Sequence, residues 1–418
     1  MNKKLKPTAR QLEYQGWEFG LFLHFGIRTF YEGHKDWDGN EMPPSAFNPI
    51  KLDCEQWIRT AKEAGMNYAV FVAKHHDGFA NWPSKYTDYS VASAPWKYGK
   101  GDVVKEYVDA CRKYGMKVGL YYSPADASSS KIRRSHKEYD DYFIGQISEL
   151  LIGYGDIDIL WFDGCGSEGH EYDWKRITGE IRRMQPGLLI FNMGDPDFRW
   201  VGNEAGIAPR PCWNVVDSVP FSVKTDTKDR FDDRGYMWLP AECDCMMRDH
   251  WFYSEQDGHT VKSLRQLMGL YYYSVGRGAN LLLNIGPDRN GLLPEKDAKR
   301  LLAFGQEIKR RFTNPIAGLS SFTLKEAWLV YTPETAVLID HVVMKEVLEH
   351  GESVRSFNIK VVPHPYGDPI TVYEGKNIGH KAICPFPPIK AIKVMIEIAE
   401  SDGDWKLNHV ELFGRNEE

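Results

Sequence analysis

Polar residues follow directly on short apolar runs at five points in this chain: His24 after G-L-F-L, the pair His75 and His76 in K-H-H-D-G-F, Tyr122 in L-Y-Y-S-P, Asp163 in I-L-W-F-D-G and Asn192 in I-F-N-M-G. Asp163 follows Ile, Leu, Trp and Phe, and Gly164 then lets the backbone turn, so its carboxylate would be held rigidly and partly away from water. An Asp-Gly step alone more often marks a turn than a catalytic group. It is the company of the other polar residues that gives Asp163 chemical meaning. Hydrolysis of a glycosidic bond needs two carboxyls, one ionised and one held protonated by its surroundings. The partner of Asp163 is open between Glu204, in the Gly-bracketed run R-W-V-G-N-E-A-G, and Glu242, in W-L-P-A-E-C-D. Each Glu taken singly is more often a solvated loop charge or an ion-pair member. Adjacent residues on an extended strand point to opposite faces, so His75 and His76 make an awkward metal pair and better donors and acceptors for hydroxyls.

These residues need a frame, and the chain spells one out. From residue 16 to about 312 a β-rich apolar run, a polar loop and an amphipathic helix recur, which is the βαβ pattern. Strands are expected at Phe19 to Phe25, Tyr68 to Ala73, Val118 to Tyr122, Ile157 to Phe162, Leu188 to Asn192, Trp238 to Glu242 and Asn280 to Ile285. Helices are expected from Asp53 to Gly65, from Asp102 to Gly115, along the stripe Tyr139, Phe143, Ile147 and Leu150, from Val261 to Tyr271, and from Glu295 to Ile308. Six or more such strands with no G-x-G-x-x-G turn after the first suit a closed (β/α)8-like TIM barrel rather than an open doubly wound sheet. In a barrel the strand exits are where chemistry sits. The stretch from Asp195 to Gly235 reads as a long loop with irregular strand. After the linker at Asn314 and Pro315 helical stripes disappear and short alternating runs begin, which predicts an antiparallel β-sandwich. The expected organisation is therefore a catalytic barrel over residues 1–312 and a C-terminal sandwich over 316–418.

Composition narrows the function. The 418 residues carry a net charge of -6 with both signs interspersed, so neither a nucleic-acid footprint nor a membrane anchor is expected. Thirteen Trp supply flat faces suited to the C-H face of a sugar. The first residues lack the apolar stretch of a signal peptide, and the cysteines number seven with no C-x-x-C spacing, which together predict a reducing, cytoplasmic setting. A metal-dependent hydrolase using His24, His76, Asp163 and Glu242 is the first competing reading, and a glycan-binding protein without catalysis the second. The first has no H-x-H or H-E-x-x-H cluster behind it.

The chain resembles glycoside hydrolase family 29, the α-L-fucosidases, over most of its length. The resemblance rests on G-L-F-L-H-F-G from Gly20, K-H-H-D-G-F from Lys74, W-P-S-K-Y-T-D-Y-S-V from Trp82, L-W-F-D-G from Leu160 and G-R-G-A-N-L-L-L-N-I-G-P from Gly276. R-W-V-G-N-E-A-G and W-L-P-A-E-C-D are similar to the branch acting on α-1,3 and α-1,4 linked fucose, whereas C-D-C-M-M-R-D-H-W-F-Y departs from that branch. The resemblance implies a retaining exo-fucosidase with Asp163 as nucleophile and Glu204 as general acid and base. It further implies that His24, His75, His76, Tyr122 and Trp251 contact the sugar, with Glu242 and Arg248 near the ring or the aglycone. A fucosylated glycan is the implied partner. No metal or organic cofactor is implied, because two carboxyls supply the proton transfer and the nucleophile.

Overall fold

The computed structural model describes residues 5–31, 42–130, 134–167, 169–217 and 235–414. Eight parallel strands form one sheet: β1 (Phe19–Leu23), β2 (Tyr68–Lys74), β3 (Lys117–Tyr122), β4 (Ile159–Phe162), β5 (Leu189–Phe191), β6 (Arg199–Trp200), β7 (Ala241–Met246) and β8 (Asn280–Asn284). Their order, β5-β4-β3-β2-β1-β8-β7-β6, runs round a barrel. A parallel bridge between Phe191 and Phe198 draws its two edges together.

The helices form where local chemistry starts and stops them. Asp53 caps α2 (Cys54–Glu63) by accepting from the Gln56 amide, and Asp102 caps α3 (Val103–Lys113) through Lys105. Gly65 and Gly115, at φ 87° and 62°, turn the chain out of these two helices. A four-residue turn, α4 (Ala127–Ser130), precedes α5 (His136–Gly153); then come α6 (Trp174–Met184), α7 (Leu264–Tyr273) and α8 (Glu295–Phe312). Helices α1 (Ala9–Trp17) and α6 carry sequence signatures that the repeat reading passes over. Thr8 and Gln11 form a capping box on α1, and Asp173 caps a stripe of Trp174, Ile177, Thr178 and Ile181 on α6. Helix α1 closes the floor of the barrel: Tyr14 and Trp17 pack with the lumen residues Phe22, Tyr68 and Trp161.

Strand β7 starts later than the expected Trp238 to Glu242, because Pro240 has no amide to give a central ladder. The shift moves Glu242 from a strand exit to the strand's second residue. The loop expected from Asp195 to Gly235 holds β6 and the strand Val215–Val216, which pairs with Met237–Trp238 just beyond it, and its residues 218–234 lie outside the described part.

Beyond the barrel, antiparallel strands β9 (Ala317–Gly318), β10 (Thr323–Lys325), β11 (Trp328–Tyr331), β12 (Val337–Glu346), β13 (Val354–Val362), β14 (Ile370–Gly375), β15 (Ala382–Ala391), β16 (Lys393–Ser401) and β17 (Leu407–Phe413) build two sheets. The orders are β9-β17-β12-β15 and β10-β11-β16-β13-β14, facing one apolar core in the expected sandwich. Strand β15 tolerates Pro385, Pro387 and Pro388 because it lies at a sheet edge. Glu18 fastens the sandwich to the barrel floor, accepting from Lys345 and Lys381 at 2.7 Å each and lying 3.0 Å from His380.

Candidate active site

The period-two alternation of the strands decides what enters the lumen. In β4, Ile159 and Trp161 point inward, so Asp163, two residues further, points into the mouth at the strand's C-terminal end. Its Oδ1 accepts from the Cys165 amide at 2.9 Å and its Oδ2 from the Tyr121 hydroxyl at 2.9 Å. His76 Nε2 lies 3.3 Å from the same Oδ2. Burial opposes the Asp163 charge, but His76, the Cys165 amide and Tyr121 outweigh it and hold the carboxyl below its ordinary range. Burial likewise opposes charge on His76, yet Asp163 prevails and lifts the imidazole to about 9. The two form a carboxylate and imidazolium pair at neutral pH. The Asp163 side chain nevertheless remains 28% exposed, open to the mouth.

Both histidines of K-H-H-D-G-F reach this site, which an uninterrupted strand would forbid. A bulge between Val72 and Lys74 breaks the alternation, and the chain turns directly after Lys74. The imidazoles of His75 and His76 lie with centroids 4.4 Å apart. Beneath them the motif is braced by two buried ion pairs, Lys74 to Asp126 at 2.9 Å and Arg28 to Asp77 at 3.1 Å. Gly78, at φ 88°, sits so close to Asp126 that a Cβ there would lie 2.2 Å from its Oδ1. No other residue fits.

An aromatic stack crosses the lumen below Asp163. The His75 ring lies nearly parallel to Tyr121 at 5.6 Å, Tyr121 to Trp161 at 5.4 Å, and Trp161 to Phe191 at 3.9 Å. On the opposite wall His24 donates from Nδ1 to Asn284 Oδ1 at 2.8 Å and its ring lies 4.8 Å from that of Trp251. Asn284 donates in turn to the Trp251 carbonyl at 2.8 Å, so one amide fixes both rings. Asn192, in the left-handed region at φ 59°, accepts from the Trp200 amide at 3.2 Å.

Glu204 rides on the loop leaving β6, two strands from β4 around the barrel and at the same end. Its turn is stapled from within: Asn203 donates to the Ile207 carbonyl at 2.9 Å and accepts from the Ala205 amide at 3.1 Å. Gly202 and Gly206 flank it at φ 99° and 72°. A Cβ on Gly206 would stand 2.9 Å from Cys245 Sγ, so the turn sits directly on β7.

Two expected contacts are corrected, and the partners of a third residue, Arg248, are now defined. Tyr122 faces away from the lumen: its ring stacks on Phe143 at 5.1 Å, and its hydroxyl accepts from Lys74 at 3.0 Å and donates to Gln146 at 2.6 Å. The tyrosine at the site is its neighbour Tyr121. Glu242 lies beneath the site, its carboxylate accepting from Tyr14 at 2.8 Å, Tyr68 at 2.7 Å and Trp161 at 2.8 Å. Burial lifts it to about 7 despite these donors. It anchors Trp161 and does not line the mouth. Arg248 is spent on Asp297, at 2.8 and 2.7 Å, and on Asp257 at 2.6 Å, which ties its loop to α8. Among the described residues no three His, Cys, Asp or Glu side chains are grouped to hold a metal ion.

The Tyr121 hydroxyl is the donor that distinguishes the two tyrosines functionally. Y121F is expected to lower kcat/KM by about 10- to 100-fold, the worth of one hydrogen bond to a charged group. Y122F should leave kcat/KM within about twofold and instead cost about 1 to 3 kcal/mol of stability, because buried partners lose their bond. Steady-state kinetics beside urea unfolding separates the two.

An ionised carboxylate ringed by imidazoles and indole faces, at the C-terminal end of a (β/α) barrel, has the layout of a glycoside hydrolase. The alpha-L-fucosidase family model matches residues 2–311, and the chain belongs to this family. Alpha-L-fucosidase 1 of Arabidopsis thaliana is 32% identical over 437 aligned residues, covering 95% of this chain and 85% of that protein. A glycoside hydrolase 29 family member from a rumen bacterium superposes with a TM-score of 0.88 at 32% identity, over 99% of this chain and 78% of that one. A glycoside hydrolase 29 fucosidase of Ruminococcus gnavus, solved in complex with fucose, gives 0.84 at 25% identity over 99% and 95%.

Proposed function

We propose that this fucosidase removes terminal α-1,3 or α-1,4 linked L-fucose from glycans with retention of configuration, using Asp163 as nucleophile and Glu204 as general acid and base. The observation that carries the reading is the Asp163 carboxylate, kept ionised by His76 and Tyr121 and aimed into the barrel mouth. In the first step an Asp163 oxygen bonds to the anomeric carbon as the glycosidic bond breaks, and the Glu204 proton passes to the leaving oxygen. In the second, water gives a proton to Glu204 and its oxygen displaces Asp163 from the sugar. A separation of about 5 to 5.5 Å between the carboxyls accompanies this mechanism. His24, His75 and His76 are the donors and acceptors for fucose hydroxyls, and Trp251 offers its face to the apolar side of the sugar. The fucose bound by the Ruminococcus gnavus relative supports this choice of sugar. R-W-V-G-N-E-A-G and W-L-P-A-E-C-D support the linkage.

A panel of Lewis-type trisaccharides, 2'-fucosyllactose and an aryl fucoside, followed by proton NMR, tests the whole reading. The α anomer of fucose should appear first, and the Lewis-type substrates should be cleaved faster than the α-1,2 linked one. Initial release of the β anomer would remove the retaining mechanism; preference for 2'-fucosyllactose would remove the linkage.

A further inference from the structure

The imidazole that pairs with Asp163 is held on its other side by a buried hydroxyl. Ser123 follows β3 directly, is fully buried, and continues the ladder by donating its amide to the Lys74 carbonyl at 2.9 Å. Its Oγ lies 2.7 Å from the Ala125 carbonyl and 2.5 Å from His76 Nδ1. A serine hydroxyl has one hydrogen, and a carbonyl can only accept. The hydrogen goes to Ala125, the Oγ turns a lone pair to His76, and Nδ1 must carry the proton between them. Were the hydroxyl to donate to Nδ1 instead, two bare oxygens would face each other at 2.7 Å in a buried place. On the side of the mouth, Nε2 lies 3.3 Å from Asp163 Oδ2 and 3.5 Å from the Tyr121 hydroxyl, whose hydrogen is given to Asp163. Nε2 also faces acceptors. The same turn grips the backbone, the Ala127 amide donating to the His76 carbonyl at 2.8 Å. Among the described residues the other titratable groups around the ring are His75, with centroids 4.4 Å apart, Asp77 and Cys165.

We propose that Ser123 is a positioning residue for the nucleophile: it keeps a proton on His76 Nδ1, so that the ring always turns its exchangeable Nε2 proton toward Asp163. This role rests on the reading of Asp163 as nucleophile. The hydrogen bond made by one ring nitrogen of a histidine decides what the other nitrogen can do. With Nδ1 fixed as a donor into the protein, the ring is a cation while Asp163 is an anion. Any proton it gives up leaves from Nε2 to water at the mouth, and the lone pair so exposed faces the sugar. Without Ser123 the neutral ring is free to keep its hydrogen on Nε2 and bury the lone pair instead.

Nitrogen-15 NMR of histidine-labelled enzyme reads the two ring nitrogens separately, with the His76 signals assigned by their loss in H76N. At pH 7 both nitrogens of the native enzyme should be protonated. In D163A, where the ring is neutral, Nδ1 should keep its proton and Nε2 should lack one; adding S123A should move the proton to Nε2. S123A alone should lower the His76 titration midpoint by about one to two pH units, the worth of one hydrogen bond to a charged group. It should also lower kcat/KM on an aryl fucoside by about tenfold. A role confined to packing would change stability and leave both the tautomer and the midpoint in place. A neutral ring protonated at Nε2 in D163A, or an unmoved midpoint in S123A, overturns the inference. So does a moved midpoint with kcat/KM unchanged. Should S123A not fold by circular dichroism, S123C, close in shape but a weak acceptor, takes its place. The NMR readout needs no turnover, so a D163A variant that turns over normally would remove the nucleophile reading with the tautomer of His76 still decided.

Discussion

Asp163→Ala is expected to lower turnover of an aryl fucoside on the order of 10,000-fold, the scale on which a catalytic set loses one of its members. The loss is of chemistry rather than of fold. Asp163 is part-exposed at the mouth, and the packing below it belongs to Tyr121, Trp161 and Phe191, whose ring stack does not depend on the carboxylate. Removing the anion also removes what holds His76 charged, so the ring becomes neutral and stays bonded to Ser123. Thermal melting should therefore change little. Azide placed in the space vacated by Asp163 should attack the anomeric carbon from that side and give a fucosyl azide of inverted configuration. Unimpaired turnover by the variant would end the assignment of the nucleophile.

Asp163 and His24 were legible because β4 and β1 keep strict alternation up to their exits, so the inward face can be counted from Trp161 and Phe22. The same count fails at L-Y-Y-S-P. Tyr121 and Tyr122 are equally close to the exit, and what separates them is register: Val72 pairs with Tyr121 and Lys74 with Tyr122, across a bulge that leaves no local mark. The turn directly after Lys74, where the strand has ended, brings His75 and His76 to one side, against the expectation for an extended pair. Glu242 was misplaced for a reason that was visible, since Pro240 delays the strand and lowers the residue toward the floor. Arg248 was beyond sequence reading, because its partner Asp297 is 49 residues away and meets it only when α8 packs on the barrel. The sandwich was legible as a change of pattern after Pro315, although proline-rich β15 and the final strand β17 were not.

Glu204→Ala and a change of Glu242 should have opposite signatures, because the two carboxyls differ in what surrounds them. E204A should lower turnover of a glycan by about 100- to 10,000-fold, the usual worth of a general acid. An activated aryl fucoside, whose leaving group needs no proton, should still be opened to the fucosyl-enzyme. Azide should then release the sugar as a fucosyl azide of retained configuration, since it arrives from the face that water would have used. E242Q should show no azide rescue. Its effect lies in stability, because Tyr14, Tyr68 and Trp161 all direct hydrogens at the carboxylate, and an amide nitrogen in its place meets a donor, at about 1 to 3 kcal/mol. The pH dependence carries the same distinction. Glu242 titrates at about 7 in the folded chain against 4.5 for the free group, so the folded state holds a proton that the unfolded state releases. Its contribution to stability is therefore fully present below 4.5 and falls as pH rises to about 7. In E242Q this slope should vanish from unfolding free energies measured between those values, whereas in E204A it should persist. Azide rescue confined to E242Q would move the acid from the loop above the mouth to the floor beneath it, against the distances that tie Glu242 to two phenols and an indole.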